Sequence, residues 1–207
     1  RARAAIVSAG IPESAEAHFA IAQAAWSAGK RQEAVTELRH ADRLRPGWEP
    51  AALFQGQALQ QVSVGDALEF YRAFLRDYPK ASEVRLAYAR LLVSEKAYPQ
   101  ARAEFEQVLE NTPNNAELGF AVGLLALQAS DLAAADTYLR QALAAGHKDT
   151  DLVHFYLGQI AEERKQLKQA AEWFARVGPG EHYLNAQIRY TMWSVFRLRD
   201  PLGEAER

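Results

Sequence analysis

Apolar side chains recur every three or four residues along most of the chain, which is the spacing of one face of an α-helix. In one segment, Ala101, Phe105, Val108 and Leu109 follow one another at intervals of four, three and one residues. The alternation of apolar and polar residues that is typical of strands does not occur. The pattern therefore predicts an all-α protein.

These helical segments are organised in repeating units. Four prolines at a nearly constant spacing mark the period: Pro12, Pro46, Pro79 and Pro113. Gly146-His147 and the Gly178-Pro179-Gly180 turn continue the series, since glycine and proline end helices. Each unit contains two helical stretches joined by a short turn, so the sequence predicts stacked helical hairpins.

Small side chains recur at two places in the unit. The first helix carries one near its middle, at Ala22, Gly56, Ala89, Gly123 and Gly158. The second helix begins with alanine, with packing residues four and seven positions later, in the sets Ala34/Leu38/Ala41, Ala67/Tyr71/Phe74, Ala101/Phe105/Val108, Ala135/Leu139/Ala142 and Ala170/Phe174/Val177. Small residues allow two helices to approach closely, and larger ones fill the space beside them.

A helix–turn–helix unit of about 34 residues, with these small residues and a closing proline, resembles the tetratricopeptide repeat (TPR). The resemblance implies an all-α, right-handed α–α superhelix, a TPR solenoid that spans 1–207 as a single domain. Its five full repeats are expected at about 15–48, 49–81, 82–115, 116–149 and 151–183, with partial repeats at 1–11 and 184–207. We interpret the chain as a fragment of a longer protein.

One segment also resembles large bacterial cell-envelope TPR proteins. It reads Arg176-Val177-Gly178-Pro179-Gly180-Glu181-His182-Tyr183, followed by Ala186-Gln187-Ile188-Arg189. This resemblance implies a longer, exported parent chain in the periplasm or cell envelope. A cytoplasmic location is the alternative.

In TPR proteins, certain positions of the first helices face a concave groove. The resemblance places there Phe19, Gln23, Trp26, Leu53, Gln57, Leu86, Arg90, Phe120, Leu124, Leu127, Phe155 and Gln159. The first groove residue of each first helix is phenylalanine or leucine: Phe19, Leu53, Leu86, Phe120 and Phe155. Two interpretations of this stripe stay open: neighbouring helices bury it, or it forms an apolar, glutamine-edged groove for a peptide.

Composition argues against several other classes of function. The formal net charge of −2 gives no electrostatic reason to expect nucleic acid or an anionic membrane as partner. The chain has no cysteine, which excludes disulfides and sites built on sulfur. His18 and His154 occupy equivalent places on first helices, where packing explains them better than metal ligation. A His-Glu-x-x-His motif is absent.

We therefore predict a non-catalytic protein–protein interaction scaffold that binds a partner peptide or protein in its groove. We expect it to use no cofactor, metal ion or nucleic acid, and this fragment not to insert into a membrane. Two alternatives stay open: a structural or oligomerising spacer in a larger envelope protein, and a regulatory arm of an enzyme whose catalytic domain lies outside this fragment.

Overall fold

The computed structural model describes residues 13–199, with side chains as far as residue 195, and every regular element in that range is an α-helix. The helices are α1 Ala15–Ser27, α2 Arg31–Leu44, α3 Glu49–Gln60, α4 Val64–Asp77, α5 Ser82–Ser94, α6 Tyr98–Asn111, α7 Ala116–Gln128, α8 Leu132–Ala144, α9 Thr150–Glu163, α10 Leu167–Phe174 and α11 Tyr183–Arg199. The prediction of an all-α helical repeat fold is confirmed. The predicted partial repeat at 1–11 lies outside the described residues.

Side-chain caps and left-handed residues set the helix boundaries. The side chains of five N-cap residues accept a backbone N–H of the first turn: Ser14, Ser63, Asn115, Asp131 and Asp149. Four turns between the two helices of a hairpin contain a residue with positive φ: Gly29, Lys96, Ser130 and Lys165. None of the described helices is both long enough and apolar enough to cross a bilayer.

The chain divides into two compact units, one ending at Ala97 and the other beginning at Tyr98. In the first unit, successive helices from α1 to α5 pack against one another, and α3 also contacts α5. Ala22, Leu38 and Ala51 are buried together in this unit. The boundary lies within the predicted repeat 82–115, and the single solenoid with its repeat limits stays a prediction.

The second unit contains α6 to α11, which again pack in chain order. Its buried cluster joins residues of α7 to α11, and includes Leu139, Leu157, Ile160, Phe174 and Ala186. Since residues of successive helices all contribute to one cluster, each hairpin completes the core of the one before it.

The small residues of first helices contact large residues of second helices. A Cβ atom built on Gly123 would lie 2.8 Å from Cγ of Leu139, and one built on Gly158 would lie 2.6 Å from Cε1 of Phe174. A Cβ on Gly56 would overlap the ring of Tyr71 in the same way. Each large partner stands four residues after the alanine that opens its helix, so the predicted tight contact is present where glycine occurs.

We predict that Gly123→Leu destabilises the protein by about 1–3 kcal/mol, because the new side chain overpacks the contact with Leu139. Gly119→Ala, in the same helix, is the matched control. Its Cβ would meet Ala142 at an ordinary 3.6 Å, and alanine favours the helix by about 1 kcal/mol over glycine. Urea denaturation followed by circular dichroism measures both. An equal effect of the two substitutions would contradict the close approach at Gly123.

Candidate partner-binding surface

In the first unit, the candidate groove residues divide into partly buried apolar side chains and exposed polar ones. The ring of Phe19 lies 5.1 Å from that of Trp48 and 5.8 Å from that of Phe54. Trp26 also contacts Phe54, with ring centroids 6.2 Å apart. These edge-to-face contacts join α1 to α3, so the aromatic residues serve helix packing as well as the surface.

The exposed residues of this surface stand at equivalent positions of three first helices. Gln23, Gln57 and Arg90 are exposed on α1, α3 and α5, whereas Leu53 and Leu86 beside them are partly buried. We call these three residues the Gln–Arg stripe. Among the described side chains, Arg90 has no ion-pair partner. The stripe therefore offers two amides and one unpaired cation over a partly covered apolar base.

In the second unit, the candidate groove residues are less accessible. Phe120, Leu124, Leu127 and Gln159 are partly buried. The ring of Phe120 lies 4.5 Å from that of His147 and 6.0 Å from that of Tyr156. Helix α7 is apolar on nearly all sides because its flanks meet side chains of the following hairpin.

Phe155 does not lie in an open groove. Only 5% of it is exposed, its ring stacks on His182 at 4.5 Å, and it also contacts Phe174. His182 stands two residues after the Gly178-Pro179-Gly180 turn. Phe155 is therefore a core residue and not part of the candidate surface.

Acidic residues near the end of α9 are tied to α11. Arg189 donates a hydrogen bond to Glu162, and the indole N–H of Trp193 donates to the other oxygen of that carboxylate at 3.0 Å. Glu162 is partly buried because α11 covers it. By contrast, Arg102 and Glu106 form an i, i+4 pair within one helix, at 2.8 Å.

The two histidines at equivalent positions have different surroundings. His154 is partly buried and stacks on Trp173 at 5.6 Å. Burial lowers the pKa of His154, and the nearby Arg176 guanidinium lowers it further. His18 is buried, as packing requires, but its ring nitrogens face carboxylates. The sequence pattern did not indicate these contacts between His18 and carboxylates.

A cavity of about 620 Å³ lies in the first unit, between α2, α3 and α4. Its lining includes Arg39, Asp42, Phe70 and Tyr78. Both charges are represented on its walls, so it shows no preference for an anion or a cation. Sequence reasoning did not single out these residues.

Comparison with protein families finds tetratricopeptide repeats along most of the chain. One model of the tetratricopeptide repeat matches residues 58–119, and a second matches residues 1–47 and 120–180. A TPR repeat-containing protein of Pseudomonas aeruginosa is 49% identical over 41 residues. That stretch is 20% of this chain and 7% of the relative, so the chain spans a small part of that protein.

Two solved structures illustrate the similar fold. MamA from Desulfovibrio magneticus aligns with a TM-score of 0.60 and 21% identity, over 81% of this chain and 94% of MamA. PilW, described as a widely conserved type IV pilus biogenesis factor, aligns with a TM-score of 0.51 and 18% identity, over 93% of this chain and 95% of PilW. At such identities, the likeness concerns the fold.

We predict that Phe120→Ala lowers the free energy of unfolding by about 1–2 kcal/mol, less than the roughly 3–5 kcal/mol expected for a fully buried phenylalanine. Phe155→Ala is the matched comparison and should show the larger loss, because its ring is covered by His182 and Phe174. Denaturant unfolding of both variants measures the difference. Equal losses would mean that Phe120 is a core residue too.

We also predict that His154 makes the protein less stable in mild acid. The folded state holds its pKa below the usual 6.5, so the unfolded state binds more protons as the pH falls through that value, and stability decreases. Unfolding of the wild type and His154→Gln at pH 7.5 and pH 5.5 tests this. The wild type should lose more stability than the variant, and parallel losses would contradict the prediction.

Proposed function

The chain belongs to the tetratricopeptide repeat family, and from that premise we propose that it is a non-catalytic scaffold that binds a partner peptide or protein along its first helices. Proteins of this family generally mediate protein–protein interactions. We propose in particular that the partner lies along the Gln–Arg stripe of the first unit. The observation that carries the proposal is the repeated exposure of polar residues at one position of α1, α3 and α5.

The chemistry of the stripe fits an extended peptide. A glutamine amide both donates and accepts hydrogen bonds, so Gln23 and Gln57 can pair with the N–H and C=O groups of a peptide backbone. Arg90 offers a planar cation suited to a carboxylate. The partner we propose is therefore an extended segment with an acidic side chain or a free C-terminus at the α5 end.

Apolar contact comes from residues one turn away on the same helices. Phe19, Leu53 and Leu86 are partly buried and stand four residues before Gln23, Gln57 and Arg90, which places each pair on one helical face. Their exposed edges supply an apolar base below the polar row. A bound segment would cover these edges and gain the free energy of their burial.

A specific observation favours the spacer as a second candidate function. Phe155 is buried, and the rings of Phe19 and Phe120 are partly covered by neighbouring aromatic residues. Much of the apolar stripe is thus used between helices. A spacer would need only that packing, with no occupant on the stripe.

We further propose a bacterial cell-envelope setting. The segment 176–189 resembles envelope TPR proteins, and the similar fold of PilW belongs to a pilus biogenesis factor. In this setting the partner would be another component of an envelope assembly.

The binding proposal predicts that Arg90→Glu abolishes peptide capture while the fold is kept, because Arg90 is exposed. A library of random extended peptides is selected on the wild type and counter-selected on Arg90→Glu. Affinities of the enriched peptides are then measured by fluorescence anisotropy. Enriched peptides should carry a carboxylate and bind the variant at least about tenfold more weakly, the loss expected for one charge-assisted pair.

Arg39→Glu is the matched control, since Arg39 is an exposed arginine on the second helix α2. It makes the same change of charge away from the stripe and should bind the peptides like the wild type. Equal weakening by both variants would point to a general effect of charge. If no peptide separates the wild type from Arg90→Glu, the spacer function is favoured.

A further inference from the structure

Four side chains with ligand-type atoms meet where α1 and α2 pack together. Glu13 precedes the N-cap of α1, His18 lies in its first turn, and Glu37 and His40 belong to α2. We propose that Glu13, His18 and His40 bind a divalent transition metal ion such as Zn²⁺, with Glu37 orienting His18. Packing alone, which the sequence pattern favours for His18, does not explain the polar contacts of this ring.

One ring nitrogen of His18 is hydrogen-bonded to Glu37. Its Nδ1 lies 2.5 Å from Oε2 of Glu37, and both residues are buried, with 4% and 2% exposed. In the proposed site Nδ1 donates this hydrogen bond to the Glu37 carboxylate, since a carboxylate only accepts. In the neutral ring, Nε2 therefore presents a lone pair. A carboxylate that holds the other ring nitrogen in this way is the usual support of a metal-binding histidine.

The other ring nitrogen of His18, Nε2, faces a second carboxylate. It lies 3.2 Å from Oε1 of Glu13. A lone pair and a carboxylate oxygen at this distance repel each other unless a positive charge stands between them. In a tetrahedral zinc site with bonds of about 2.0–2.1 Å, neighbouring ligand atoms lie about 3.3 Å apart. The separation of the two atoms is therefore suited to a shared metal ion.

The third ligand comes from the neighbouring helix. The ring of His40 stacks on that of His18 with centroids 5.0 Å apart and planes inclined by 20°. One ligand atom from each of Glu13, His18 and His40 lies within 4.8 Å of the others. His40 is partly exposed and the Glu13 side chain is 68% exposed, so both can turn inward and solvent can reach the site. Three protein ligands leave a fourth position for water.

The test is isothermal titration of tag-free protein with ZnCl₂ in a buffer without chelators. We expect one Zn²⁺ per chain. His40→Gln and Glu13→Gln should each weaken binding at least tenfold, and both positions are accessible enough to tolerate the change. His182→Gln and Glu95→Gln are controls for histidine and glutamate outside the cluster, and they should bind like the wild type.

Thermal unfolding gives an independent readout, because an ion that binds only the folded state raises the unfolding temperature. The rise with zinc should occur in the wild type and both controls, and be lost in His40→Gln. No saturable binding would overturn the proposal and leave His18 as a packed residue hydrogen-bonded to Glu13 and Glu37. Binding that all four variants retain equally would also overturn it, as adventitious surface binding only.

Discussion

The close approach of a first helix to its second helix is the contact on which the rest of this fold depends. It occurs where Gly123 meets Leu139 and where Gly158 meets Phe174, at distances that leave no room for a Cβ atom. Because the small residue has little or no side chain, a large side chain from the partner helix fills the interface without a void. Alanine at 0% exposure occupies the same position at Ala22 and Ala89.

The same contact determines which residues can meet a partner. Successive residues of an α-helix are about 100° apart, so the residue after a buried small one turns away from the interface. Gln23, Gln57 and Arg90 each follow such a residue, and all three are exposed. Packing within the hairpin and the proposed binding along the stripe thus have one geometric origin.

Polar groups that are buried or partly buried at the packed surfaces find partners on other helices. Glu37 and His18 satisfy each other inside the first hairpin, and Glu162 accepts hydrogen bonds from Arg189 and Trp193. Such groups are costly to bury without partners. In both places the partner comes from another helix, so these contacts specify which helices pack together. The proposed metal ion would add a further link of this kind between α1 and α2.

The sequence by itself determined the helical class, the repeat period and the places of closest packing, because each depends on local spacing and side-chain size. It also indicated the surface positions, and Gln23, Gln57 and Arg90 are exposed there. Only the tertiary structure decided that Phe155 is buried while Phe120 is half covered. Each ring is covered by a histidine from the connection that follows its hairpin, His182 over Phe155 and His147 over Phe120. The cluster around His18 likewise depends on Glu37 and His40 of the next helix, a pairing across two helices for which no periodic pattern exists.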